Sequence, residues 1–142
     1  MKNILFLTIF IFMSSTILFA EETRAKTFNI GNGGILKIKP LGFGFDIQII
    51  YNKASEAPDV VKENLENSNP AYNLRSKRLS FDVKFLDRGG YEVCKQSLLF
   101  SDFILDETND PPVAVLNSQT EECGVNSYNK VYSVVVNYDS PY

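Results

Sequence analysis

The stretch LSFDVKFLDRGGYEVC, residues 79–94, decides the fold of this chain, because it reads as strand, turn and strand. Its first strand carries large apolar residues at one parity, at Leu79, Phe81, Val83 and Phe85. This alternation is typical of a β-strand with one buried face and one wet face. Residues 87–90 supply turn chemistry, and the returning strand carries Cys94. We therefore predict a β-hairpin anchored by a cysteine.

The same alternation recurs elsewhere in the chain. The clearest case is residues 43–51, where one parity holds Phe43, Phe45, Ile47, Ile49 and Tyr51. Further strands are predicted at residues 27–30, 35–39, 98–105 and 113–116. Residues 131–138 form a nearly continuous apolar run, which favours a central position in a sheet.

The connections between these strands are long and polar. Residues 57–66 predict one short helix, with Pro58 at its first position and Val60, Val61 and Leu65 as its apolar stripe. Residues 106–112 and 117–126 have the composition of loops. Seven to eight strands at this spacing predict an all-β fold, an antiparallel β-sandwich of the immunoglobulin or fibronectin type. The chain has no Trp, so the buried tryptophan of true immunoglobulin domains has no counterpart.

The N-terminus has the order of a secretory signal peptide. Lys2 precedes an apolar run, and the small residue Ala20 precedes two acids. We predict a signal peptide over residues 1–20 and a single domain over residues 21–142. The domain is then periplasmic or extracellular, with no stable membrane insertion after cleavage. Leu18 is large for its position before the cleavage point, so an uncleaved anchor is the alternative.

Two cysteines, Cys94 and Cys123, are present. An even number of cysteines in an exported chain predicts a disulfide. The alternative is a reactive thiol, but Cys123 follows two acids, which would raise a thiol pKa. The sequence therefore favours a structural bridge.

The charge of the chain is acidic and unevenly distributed. The net charge is −3, and a predominantly acidic chain argues against nucleic-acid binding. Residues 21–96 hold 12 basic and 10 acidic side chains, whereas residues 97–142 hold one basic and seven acidic side chains. Either strands from the two halves neutralise each other across a sheet, or the second half presents an acidic face to a cationic partner.

The chain contains no histidine. This excludes Ser-His-Asp and Cys-His catalysis as well as His-ligated zinc. We expect no enzyme activity, no cofactor and no metal site. Carboxylate chemistry involving Asp102 or Asp106 and a calcium site in the same acidic region are the alternatives.

The candidate partner contacts lie late in the chain. Acids in the loop that the Cys94–Cys123 bridge restrains, and tyrosines in predicted loop or tail positions, are suited to recognition. The residues are Asp106, Glu107, Asp110, Tyr128 and Tyr142. The basic run at residues 75–78 is a further charged feature, which we interpret mainly as protection of a strand edge.

Two functions follow from these observations. The first is an exported, non-enzymatic domain that binds a macromolecular partner, a protein or a glycan. The second is an inhibitor of a hydrolase such as lysozyme, since a stapled domain presents its loops preorganised.

Overall fold

A computed structural model of the chain describes residues 25–66, 80–120 and 122–139. The predicted signal peptide, the basic run at residues 75–78, Leu79 and Tyr142 lie outside these residues. The described strands are β1 (Lys26–Gly31), β2 (Gly34–Pro40), β3 (Phe45–Tyr51), β4 (Ser80–Leu86), β5 (Glu92–Leu99), β6 (Phe103–Asp106), β7 (Val113–Gln119) and β8 (Ser133–Asn137). The helices are α1 (Asp59–Glu66) and α2 (Val125–Tyr128), and 3-10 turns cover Ala54–Glu56 and Phe100–Asp102.

The strands form two antiparallel sheets, which confirms the prediction of an all-β protein. The larger sheet has the order β1-β2-β3-β7-β6, and the smaller sheet has the order β5-β4-β8. One row of core-facing apolar residues crosses all five strands of the larger sheet, each opposite the next: Phe28, Leu36, Ile49, Leu116 and Phe103. The register therefore places the period-two pattern of each strand on one common face.

The smaller sheet is built around β4, the strand that opens the hairpin of residues 79–94. Phe81, Val83 and Phe85 are fully buried on its inner face. The neighbouring strand β5 adds Leu98 and a buried polar residue, Gln96. The side-chain carbonyl of Gln96 accepts a hydrogen bond from the backbone N–H of Glu122, 3.4 Å away. This bond ties the inner face of the small sheet to the segment that follows β7.

Aromatic rings join the two sheets. Phe45 of the larger sheet meets Phe85 of the smaller sheet edge to face, with centroids 5.1 Å apart. Further along, Phe81 of the smaller sheet stacks on Phe103 of the larger sheet, with centroids 6.0 Å apart. The hydroxyl groups of Tyr51 and Tyr138 are 2.6 Å apart and share a hydrogen bond. Such pairs add specific geometry to the burial of apolar area, and the two sheets pack face to face in a sandwich-like arrangement.

The prediction of one strand over residues 98–105 is wrong. β5 ends at Leu99, the chain turns through Phe100–Asp102, and β6 starts at Phe103 in the other sheet. Phe100 is buried in this turn and packs against Phe81 at 4.8 Å. An apolar side chain in a turn thus keeps the sequence pattern continuous while the backbone crosses between the sheets.

The central position predicted for residues 131–138 is also wrong. Among the described residues, β8 pairs only with β4 and so lies at an edge of the small sheet. Val134 and Val136 pack against the core, whereas Val135 is 47% exposed on the outer face. The apolar run therefore reflects the β propensity of valine and not burial on both faces.

Phe43 is a third difference from the sequence pattern. Its parity predicts burial, yet the side chain is 98% exposed. The strand starts only at Phe45, because residues 41–44 form a turn closed by a hydrogen bond from Leu41 N–H to the carbonyl of Gly44 (2.8 Å). The alternation consequently does not extend to Phe43.

The predicted disulfide is confirmed. Cys94 and Cys123 are bonded, with their Cα atoms 5.6 Å apart. Cys94 lies on β5 of the small sheet, and Cys123 follows β7 of the large sheet, so the bridge links the two layers. A buried disulfide indicates an oxidising compartment. Neither described helix is long and apolar enough to cross a bilayer.

Replacing both cysteines by alanine should lower the free energy of unfolding by roughly 3–4 kcal/mol, because the bridge closes a loop of about 30 residues. Urea unfolding of the oxidised protein, the reduced protein and the double variant measures this. Reductant should destabilise the native protein to the level of the variant and leave the variant unchanged. Equal stability of all three would show that the bridge adds nothing.

The Tyr51–Tyr138 pair predicts an alkaline limit to stability. Burial raises the pKa of both hydroxyls above the ordinary value of 10.0. The two hydroxyls therefore contribute their full share to the free energy of unfolding below pH 10. This contribution is lost as the pH rises further, because the unfolded chain releases these protons at a lower pH than the folded protein does. Absorbance at 295 nm should show them ionising only as the protein unfolds.

The variant Tyr138→Phe should cost about 1 kcal/mol, the value of one buried hydrogen bond, in urea unfolding at neutral pH. Tyr91→Phe is the matched control, because Tyr91 is 75% exposed. Equal stability of the two variants would contradict a contribution from the hydroxyl pair.

Candidate functional site

The acidic loop, residues 106–110, connects β6 to β7 and is held by its first residue. The Asp106 carboxylate accepts hydrogen bonds from the backbone N–H of Thr108 (3.0 Å) and from its hydroxyl. The side-chain amide of Asn109 donates a third bond at 3.1 Å. Aspartate commonly closes turns in this way. The bonds from Thr108, with a smaller contribution from Asn109, hold the pKa of Asp106 below its ordinary value of 3.8.

The remaining acids of the loop are directed toward solvent. Glu107 and Asp110 are both exposed, and neither forms an ion pair with another described residue. Three carboxylates therefore lie within five positions of the chain, and one of them fixes the backbone that carries the others. This arrangement gives a small negative surface of defined shape.

An apolar groove of about 310 Å³ lies beside the acidic loop. We call it the α1 groove, because helix α1 forms one wall. The opposite wall is the β6–β7 hairpin, which also carries the acidic loop. The lining residues are Ala54, Ser55, Lys62, Leu65, Leu105, Pro111 and Pro112.

Helix α1 is oriented by its apolar stripe. Val61 is fully buried in the core, and Leu65, one turn further on, lines the groove. The helix starts where the carbonyl of Pro58 accepts hydrogen bonds from the N–H groups of Val61 (2.9 Å) and Lys62 (3.1 Å). The predicted helix is thus confirmed over Asp59–Glu66.

The hairpin wall is tied to the chain before α1. The carbonyl of Pro112 accepts a hydrogen bond from the N–H of Ala54 at 2.9 Å. The peptide bond between Asp110 and Pro111 is cis. Leu105 remains 39% exposed at the mouth of the groove. Both walls therefore stand on hydrogen-bonded backbone, and the groove is formed in the free protein.

The charge at the groove is negative on balance. Lys62 is the one basic side chain among the described lining residues, and its Nζ lies 3.2 Å from the Asp59 carboxylate. Its charge is partly compensated within the helix, whereas Glu107 and Asp110 form no ion pair with another described residue. A ligand group that enters the groove would thus meet apolar walls next to uncompensated carboxylates.

The structure brings together only some of the predicted contact residues. Asp106, Glu107 and Asp110 share the acidic loop, whereas Asp102 lies in the preceding 3-10 turn. Tyr142 lies outside the described residues. From the sequence we expect Tyr128 to be exposed in a loop, and this is wrong: it lies in α2 and is 4% exposed. Its ring packs 5.9 Å from that of Phe45, which makes it part of the core.

The carboxylates do not gather as a metal site would require. In residues 25–66, 80–120 and 122–139 there is no group of three or more acidic or cysteine side chains placed to hold an ion. The Asp106 oxygens are instead engaged by Thr108 and Asn109. The groove could not be predicted from the sequence, because Leu65 and Leu105 are far apart in the chain and become neighbours only in the folded protein.

No protein-family model, curated protein or solved structure matches this chain, so its function has to be inferred from its own residues.

The order of the acidic loop should depend on the charge of Asp106. Since its hydrogen bonds lower its pKa, the amide proton of Thr108 should keep its bonded chemical shift until the pH falls below 3.8. A ¹H–¹⁵N titration measures this. In Asp106→Asn the titration should disappear, while Asp102→Asn should leave it unchanged. A Thr108 amide that titrates identically in Asp106→Asn would contradict the assignment.

Proposed function

We propose that this protein is an exported, non-enzymatic domain of the immunoglobulin-like or fibronectin-like sandwich type that binds a protein partner. The site is the α1 groove with the acidic loop beside it. The supporting observation is that a preformed apolar groove lies beside carboxylates that form no ion pair within the described part of the chain. The compartment is the periplasm or the extracellular space, in keeping with the buried disulfide and the predicted signal peptide.

The chemistry of the groove defines the partner. The walls suit one aliphatic or aromatic side chain, because burying such an anchor supplies most of the affinity of a typical interface. The acids at the rim suit Lys or Arg next to that anchor, and they steer association more than they add affinity. We therefore propose a partner segment that presents an apolar residue flanked by basic residues.

Peptide display against residues 21–142 tests this function. Selected peptides should share an apolar residue flanked by Lys or Arg, and the variant Leu105→Ser should weaken their binding about tenfold, as loss of a pocket contact does. Ile104→Ser is the matched control, because Ile104 neighbours Leu105 on the opposite face of β6 and is 59% exposed. Peptides without this pattern, or equal losses in both variants, would overturn the proposal.

The contribution of the acidic loop to peptide binding is tested separately. The triple variant Asp106→Asn, Glu107→Gln, Asp110→Asn should weaken peptide binding about tenfold at low salt and much less at high salt. A second triple variant, Glu92→Gln, Glu122→Gln, Asp139→Asn, makes the same change in net charge away from the loop. Equal effects of the two would show that only net charge matters. Hydrolase activity lost in Asp106→Asn would refute the non-enzymatic assignment.

Inhibition of a hydrolase such as lysozyme is the second candidate function. It is favoured by one observation, the hydrogen bonds that fix the acidic loop before any partner arrives, since a preorganised loop binds at a lower entropic cost. Lysozyme turnover should fall with added protein at low salt and recover in the loop triple variant. Unchanged turnover at every ratio would exclude lysozyme as the target.

A further inference from the structure

A second cavity, of about 430 Å³, lies at a different place in the fold. It opens between the start of β1, the β4–β5 turn and the segment that joins α2 to β8. We call it the basic cavity, because three of its described lining residues are cationic and none is acidic. The residues are Lys26, Thr27, Phe28, Arg88, Asn129, Lys130, Val131 and Tyr132.

Lys26 is fixed at the inner side of this cavity. Its ammonium group donates hydrogen bonds to the carbonyls of Tyr128 (2.7 Å) and Val131 (3.0 Å). It also lies 4.7 Å from the centroid of the Tyr128 ring. An ammonium group carries three N–H donors, so the two carbonyls leave one donor for a ligand.

Arg88 is presented by the turn of the hairpin of residues 79–94. The Asp87 carboxylate accepts hydrogen bonds from the N–H groups of Gly89 (2.9 Å) and Tyr91 (3.0 Å). It therefore stabilises the turn and forms no ion pair with Arg88. The guanidinium carbon of Arg88 lies 5.4 Å from the centroid of the Tyr132 ring. Stacking on an aromatic face leaves the N–H edge of a guanidinium group accessible.

Among the described residues, no ion pair compensates the positive charge of the cavity. No described carboxylate forms an ion pair with Lys26, Arg88 or Lys130. This contrasts with the net charge of the whole chain, −3. A local positive cavity attracts an anion even where the net charge of the protein is negative.

We propose that the basic cavity binds the phosphate group of a small ligand between Lys26, Arg88 and Lys130. The Arg88 fork matches two oxygens of a tetrahedral oxyanion, and the two lysines act as point charges. The Asn129 amide and the Thr27 hydroxyl are further polar groups at the wall. The volume falls within the range of small-molecule sites, about 300–1,000 Å³, so the phosphate can belong to a larger molecule. Free phosphate compounds and phospholipid headgroups share this chemistry.

Titration with inorganic phosphate, followed by ¹H–¹⁵N NMR, is the first arm of the test. Saturable shifts should be confined to the residues of the basic cavity. Arg88→Gln and Lys130→Gln should each weaken binding about three- to tenfold, the range for exposed charge-assisted contacts. Both side chains are exposed, so neither variant should affect folding, which urea unfolding verifies.

Lys95→Gln and Lys84→Gln are matched controls, since both lysines are exposed on the outer face of the small sheet and the charge change is the same. They should leave phosphate binding unchanged. Equal losses in the controls would overturn the proposal in favour of a general charge effect.

Sedimentation with vesicles is the second arm and distinguishes the two sources of phosphate. Vesicles of phosphatidylglycerol and of phosphatidylcholine are compared. Arg88-dependent binding to phosphatidylglycerol vesicles alone would assign the cavity to a lipid headgroup. Saturation by inorganic phosphate without vesicle binding would assign it to a soluble phosphate compound. Absence of both signals would refute the site.

Discussion

The disulfide between Cys94 and Cys123 is the constraint on which one end of the molecule depends. It holds the segment after β7 against the inner face of the small sheet, where the Glu122 N–H reaches Gln96. The Thr120 hydroxyl accepts a hydrogen bond from the backbone N–H of Phe45 and donates one to the carbonyl of Cys123. Gly44 fits into this frame only because it has no side chain, since a Cβ would lie 2.5 Å from the Thr120 hydroxyl oxygen.

This frame also accounts for the basic cavity. The chain after Cys123 forms α2, whose Tyr128 packs on Phe45. The carbonyls of Tyr128, at the end of α2, and of Val131 then accept hydrogen bonds from the Lys26 ammonium group of β1. Burial there lowers the pKa of Lys26. The disulfide between the layers thus holds α2 in place, and α2 in turn fixes the position of the Lys26 ammonium group on β1, the edge strand of the larger sheet.

The two candidate sites lie at opposite ends of the larger sheet. Lys26 is opposite Ile38, which is opposite Ile47 of β3. Leu105 is opposite Ala114, which is opposite Tyr51 at the other end of β3. The groove end depends on other contacts, namely the Tyr51–Tyr138 hydroxyl pair and the crossing at Phe100. The two sites are therefore built independently.

Local chemistry could be predicted from the sequence, whereas pairing between distant segments could not. The alternation from Phe45 to Tyr51, the turn at Asp87 and the bridge to Cys123 each depend on short patterns or on a single pair of residues. Strand order depends on contacts across the chain, so the apolar run around Val135 gave no information about the edge position of β8. The acids of the loop could be found from the sequence, but the groove requires Leu65 and Leu105 to meet. Phe43 and Tyr128 were misplaced because a turn and a one-turn helix interrupt the expected pattern.

The uneven charge distribution along the chain corresponds to the separation of the two candidate sites. Among the described strands, pairing between residues 21–96 and residues 97–142 places no opposite charges face to face: Asp46 of β3 is opposite Gln119, and Lys84 of β4 is opposite Val135. The ion pairs among the described residues instead join side chains three positions apart, at Lys53–Glu56 and at Asp59–Lys62. The acids of the acidic loop and the basic residues of the basic cavity therefore lie at opposite ends of one sheet, and neither group forms ion pairs with other described residues. The proposed cationic partner and the proposed anionic ligand would then not compete, because the α1 groove and the basic cavity share no lining residue.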